Sequence, residues 1–275
     1  MNKRRLIPLF TAFVLWGSQY VVSKVALRYL VSIPALLLVL RLRRALKPVD
    51  RRDWPILFAI GFTGYFASFC LQMLGIDRLT GSLSSLLGAM NPIFIPILAA
   101  LFLHERITLS KIACVALSML GVVVIVGVGG TADAAGVLMM LVSVFLWSTA
   151  SIIIRRISGR YDPMQIALIA ICCALPLTGA WSLIELQSAA CSFSVQSVLA
   201  VLYMGIFGTA VTHSLWNYSL RVMDASFCSM FYPMQPLVSA ILGVLFLHET
   251  VTPSFILGAL MICGGIVAAV KSAPK

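Results

Sequence analysis

The sequence predicts an all-α polytopic membrane protein: ten transmembrane helices built as two inverted five-helix repeats, with the second span unusually short. Three observations lead there. First, 61% of the 275 residues are hydrophobic and only 11% are charged, with a mean hydropathy of +1.03. A soluble domain carries about 45–50% apolar and about 25% charged residues, so this chain has too little polar surface to coat a globule in water. Disorder, collagen and coiled coils are excluded as well, because each needs polar or small-residue bias. Second, the Lys and Arg residues gather in short segments beside the apolar runs. Third, the chain matches itself at a fixed offset.

The apolar runs cover 6–26, 29–42, 54–74, 79–103 and 109–128, then 136–154, 164–184, 198–216, 225–247 and 253–270. A helical crossing takes about 20 apolar residues. The first run follows Lys3, Arg4 and Arg5 like a signal peptide, but Lys24 stands where small residues would form a cleavage site. It reads as an uncleaved span. The second run has 14 residues, or about 21 Å of helix against a hydrocarbon core of about 30 Å. With ten crossings and a cytoplasmic N-terminus, 17 of the 20 Lys and Arg residues fall on the cytoplasmic side. Arg28 and Arg78 lie outside, and Lys24 lies within the first span. This asymmetry fits the rule that cytoplasmic loops carry the positive charge. It also accounts for the net charge of +11 through lipid head groups, without nucleic acid. Both termini are expected in the cytoplasm of a bacterial cell, at its inner membrane. The expected partners are membrane lipid and a small-molecule substrate, for a monomer or homodimer.

The repeat is the most informative feature. At an offset of 144, Met90-Asn91-Pro92 falls on Met234-Gln235-Pro236, and Leu101-Phe102-Leu103-His104-Glu105 falls on Leu245-Phe246-Leu247-His248-Glu249. Thr108 meets Thr252, Gly121 meets Gly265, and Ser82 and Ser85 meet Ser226 and Ser229. Earlier in each half, Trp16 and Trp147 correspond at an offset of 131, which leaves the first half 13 residues short around span 2. The expected divisions are therefore 1–130 and 131–275. Five spans per half is odd, so the second half enters from the opposite side, as in secondary transporters whose site lies between the halves.

Several chemistries are excluded. No cofactor or metal ligand set is expected, since six of the seven cysteines fall in apolar runs and no Cys/His spacing suits a metal. No Walker loop or Gly-x-Ser-x-Gly elbow appears, and no Asp or Glu lies in the middle of a span. The chain is therefore not expected to be an enzyme. A non-transporting scaffold or regulatory subunit is the alternative reading.

Local signals are clear at helix starts. Thr108 and Thr252-Pro253 read as N-caps, with Glu105 and Glu249 in the turns beside them. Pro92, Pro96, Pro233 and Pro236 predict kinks in spans 4 and 9. Lys24 and Arg155 stand near span ends, where they can snorkel.

Leu15-Trp16-Gly17-Ser18 with Lys24, the Asn91-Pro92 span, the turn from Leu101 to Thr108, Gly121 and their repeat partners together resemble the EamA-type transporters of the drug/metabolite transporter superfamily. The resemblance covers essentially the whole chain. It implies a ten-helix inverted-repeat bundle that exports or exchanges small metabolites such as amino acids. His104 and His248 depart from it, standing where glycine is common. The resemblance and the intramembrane polar residues both place a cavity among spans 1, 3, 4, 6, 8 and 9. Gln19, Gln72, Asn91, His213, Asn217 and Gln235 are the expected hydrogen-bonding residues, and Tyr20, Trp147 and Tyr232 the expected faces for an apolar group.

Overall fold

The computed structural model describes residues 6–22, 47–79, 84, 87–126, 133–186, 195–247 and 253–272, all in helices or the connections between them. The short second span, the Thr252 cap, Glu249 and His248 lie outside the described residues. Helix α1 covers Leu6–Val22 and α2 covers Trp54–Arg78, with a π-helical segment at Gly61–Ala67. Next come α3 (Asn91–Leu103), α4 (Leu109–Val126), α5 (Ala134–Ile157) and α6 (Pro163–Leu186). Helix α7 is continuous through Val195–Tyr203, a π-helical segment at Met204–Val211, and Thr212–Val222. The chain then forms the short α8 (Ala225–Ser229), α9 (Met234–Leu247) and α10 (Pro253–Ser272).

Among the described residues, four helices are long and apolar enough to cross a membrane: Trp54–Arg78, Ala134–Ile157, Pro163–Trp181 and Val198–Val222. The 25 residues of α2 rise about 37 Å at 1.5 Å each, more than the hydrocarbon core requires. Large apolar side chains such as Leu101, Phe102, Leu109 and Leu260 are exposed, as a lipid-facing surface demands. The protein is an integral membrane protein.

The expected spans 79–103 and 225–247 are not single kinked helices. Helix α3 begins only at Asn91, after a turn at Ala89 and Met90. The second stretch divides into α8 and α9 around a turn that contains Tyr232 and Pro233. Pro92 and Pro236 therefore occupy first turns, where a missing N–H leaves no bond unmade. Pro96 alone lies inside α3 as expected. Backbone broken at membrane depth is tolerated only against protein or a wet cavity, and both breaks meet such a cavity.

The turn after α3 shows why glycine suits the position that His104 holds. His104 adopts a left-handed conformation with φ 57°, the one such non-glycine residue among those described. The Glu105 N–H donates to the Ala99 carbonyl at 3.2 Å, closing the helix end. Glycine takes this conformation at no steric cost, and histidine does not. Thr108 caps α4 as expected, accepting from the Lys111 N–H at 3.3 Å.

Small residues bring the helices together, as packing in lipid favours. A Cβ on Gly121 would come within 2.7 Å of the Gly258 carbonyl and 2.9 Å of Ile262. One on Gly265 would come within 2.1 Å of Ser118 Oγ and 2.9 Å of the Cys114 carbonyl. Each residue of one contact stands 144 positions from its counterpart in the other, so the α4–α10 contact is reciprocal, as an isologous interface is. Helix α1 packs on α7 and α9, while α5 packs on α2 and α3. The two sequence halves thus interlock through their first helices.

Candidate functional site

A cavity of about 230 Å³ lies between these crossings. Both π-helical segments reach its wall, through Gly64 and Tyr65 on α2 and Gly208 and Thr209 on α7. π-helical turns concentrate at functional sites because they re-aim side chains within an otherwise regular helix. Glycine lets other side chains lie close against both segments. A Cβ on Gly64 would meet Ala150 at 2.8 Å, and one on Gly208 would meet the Gln19 amide at 1.7 Å.

Aromatic rings form the floor. The Trp16 ring lies 5.8 Å from Trp147, 5.5 Å from His213 and 5.7 Å from Trp216, and stacks on Tyr232 at 6.1 Å. Tyr65 approaches His213 at 4.7 Å, and Trp147 Nε1–H donates to the Tyr232 hydroxyl. These largely edge-to-face contacts hold the rings rigidly.

Seven of the nine expected residues line the cavity: Gln19, Gln72, Asn91, Trp147, His213, Tyr232 and Gln235. Their roles differ. Asn91 Nδ2 donates to the Gly88 carbonyl at 3.0 Å, and its Oδ1 accepts from Ser148 Oγ at 3.0 Å. It satisfies a carbonyl at the helix break. His213 Nδ1 lies 2.7 Å from the Thr209 carbonyl, which makes Nδ1–H the donor and leaves Nε2 as the edge for other contacts. The amides of Gln19, Gln72 and Gln235 make no side-chain hydrogen bond to another described residue.

Asn217 stands apart from the cavity. It is fully buried, donating from Nδ2 to the Pro163 carbonyl at 3.2 Å. Its Oδ1 has no hydrogen-bond partner among the described residues. The Tyr20 side chain lies outside the described residues.

The structure adds residues that the sequence did not single out for the site. Trp16 was legible as the repeat partner of Trp147. Tyr65 shares its run with Gln72, which was expected at the site, but the sequence did not single it out. Helix α6 contributes Thr178 and Trp181 to the wall, although span 7 carries no repeat motif. Asp77 also lines the cavity and is exposed, so the cavity reaches the surface at the end of α2. No Lys or Arg lines it among the described residues.

The opposite end of the molecule is closed by polar ties. Glu105 Oε1 accepts from the Ala225 N–H at 2.9 Å, and Oε2 accepts from the Ser226 N–H at 3.1 Å and its hydroxyl at 2.7 Å. Glu105 therefore caps α8 in the other half, not the start of its neighbour α4. Arg155 does not simply snorkel. Its Nη1 donates to the carbonyls of Leu220 at 2.7 Å and Arg221 at 3.0 Å, and Nη2 lies 3.8 Å from Asp224. Asp53, buried before α2, accepts from the Tyr161 hydroxyl and from Arg160 Nη1, both at 2.8 Å. The Tyr161 hydrogen bond, followed by the Arg160 guanidinium, holds the Asp53 carboxyl below its ordinary range.

The EamA-like transporter family model matches residues 5–127 and again 134–270. The chain belongs to this family. Among its relatives, an "Uncharacterized transporter" of Archaeoglobus fulgidus is 26% identical over 277 residues, covering 98% of this chain and 99% of its own length. "Uncharacterized transporter YvbV" of Bacillus subtilis is 24% identical over 280 residues, covering 96% of this chain and 90% of its own. One solved crystal structure superposes with a TM-score of 0.82 at 19% identity, over 98% of each chain, and shows the same fold. In this family member, residues beside both helix breaks line the cavity.

Proposed function

We propose that this protein is a secondary transporter that exports or exchanges a small metabolite, an amino acid or similar solute, across the bacterial inner membrane by alternating access. The carrying observation is the cavity itself. It is bounded by two helix breaks 144 positions apart, reaches the surface at Asp77, and is sealed at the other end by Glu105, Arg155 and Asp53. Discontinuous helices meeting at mid-depth are the transporter solution for placing polar groups within a bilayer. The reciprocal α4–α10 contact supports the inverted repeat of 1–130 and 131–275, because a two-fold relation between halves supplies two related conformations. Nearly all described basic residues lie at the sealed end, which supports a cytoplasmic position for that end and for both termini.

The lining narrows the solute. Rings of Trp16, Trp147 and Tyr232 suit an apolar group, and the amides of Gln19, Gln72 and Gln235 offer both donors and acceptors. A solute carrying an amine and a carboxylate matches such a neutral lining. Phosphate esters would require Arg or Lys in the wall. Counterflow of labelled amino acids in proteoliposomes tests this reading. Uptake above empty vesicles for at least one solute is expected, and no movement across a broad panel overturns it.

A further inference from the structure

Glu105 ends α3, yet all three of its acceptor bonds go to α8, 120 and 121 positions further along the chain. Arg155 ends α5 and clamps the last carbonyls of α7, immediately before α8. Between these ties and the aromatic floor lies α8 itself: Ala225, Ser226, Cys228 and Ser229 are fully buried, and Phe231 packs on Phe13 beneath them. The chain then reaches Tyr232 in the cavity wall. Helix α8 is thus a plug five residues long, held from outside by one carboxylate and one guanidinium.

We propose that Glu105 and Arg155 form a latch on α8 that seals the cavity from the basic end and releases once in each transport cycle. The latch rests on the alternating-access reading above. Its chemistry suits repeated release. The N–H groups of Ala225 and Ser226, the Glu105 carboxylate and the Arg155 guanidinium all find equivalent partners in water once the end opens, so the net cost of exchange is small. The Arg155–Asp224 pair is already part-exposed, where an ion pair adds little. Apolar packing of the α4–α10 kind has no such exchange and stays shut. Glu105 and Arg155 are not among the residues that line the cavity, so they act on the position of α8 rather than on the solute.

Cys228 reports the latch directly, since it is fully buried in α8, two residues beyond the Ser226 that Glu105 holds. The experiment uses full-length protein in detergent, without solute, in which Cys228 is the one cysteine kept, labelled by a polar maleimide. A second version keeps only Cys114, which is buried on α4 against α10. Glu105→Ala and Arg155→Ala are each expected to raise Cys228 labelling roughly tenfold while Cys114 stays protected. An unchanged Cys228 rate overturns the latch. Equal acceleration at both cysteines overturns it too, because the ties then hold the whole fold. No solute is needed, so an empty counterflow panel leaves the latch standing, and an unmoved label leaves transport standing.

Discussion

Helix α5 crosses α3 at Ser148 and Asn91, and α1 crosses α9 at Gly17 and Gln235. The two crossings occupy equivalent places in the halves, at the offsets of 131 and 144. In the first, Ser148 donates to Asn91, whose amide in turn bonds the Gly88 carbonyl. In the second, Gly17 has no side chain to offer, and its backbone lies against the Gln235 carbonyl and Val238. Positions 144 apart are therefore a structural polar bond at one crossing and, at the other, an amide with no hydrogen bond to another described residue. The breaks recur at the 144 offset, while the lack of a serine at the second crossing removes one of the two bonds that engage the amide at the first.

The largest effect is expected at the tighter crossing. A Cβ on Gly17 would lie 2.6 Å from Val238 Cβ and 2.9 Å from the Gln235 carbonyl, and helix backbone cannot move aside as a flexible side chain can. Gly17→Val should cost about 3 kcal/mol or more, at the upper end of overpacking. Size-exclusion profiles and thermal unfolding in detergent would show it, and a wild-type melting temperature would refute a tight crossing.

Next comes the contrast between the paired amides. Asn91→Ala strands the buried Gly88 carbonyl and the Ser148 hydroxyl, so stability should fall by about 2 kcal/mol. Gln235→Ala should melt like wild type but weaken solute binding by about 1 kcal/mol, roughly fivefold. Thermal unfolding beside counterflow at matched expression separates the two. Equal destabilisation by both changes would erase the distinction between the crossings. Ser148→Ala is the smallest change, at about 1 kcal/mol of stability with solute affinity preserved. A larger loss of affinity than of stability there would place Asn91 among the solute's direct partners.

Much of this was legible in the chain. Composition alone specified helices in lipid, because a backbone without water must satisfy its own hydrogen bonds. The 144 offset located the breaks, since Asn91-Pro92 and Gln235-Pro236 both mark them, and Thr108 was a local cap read locally. Where proline fell was predictable, but its effect was not: a kink and a helix start use the same residue, and only the preceding turn decides between them. Tertiary structure alone decided which polar side chains share the cavity. His213 and Asn217 are four residues apart on one face of α7, yet depth along the helix puts the first at the wall and the second against Pro163. Nor could spacing reveal that Glu105 caps a helix 120 positions away. A carboxylate stabilises any open helix N-terminus within reach, and reach across the molecule is set by how the two halves interlock, not by the order of residues along either one.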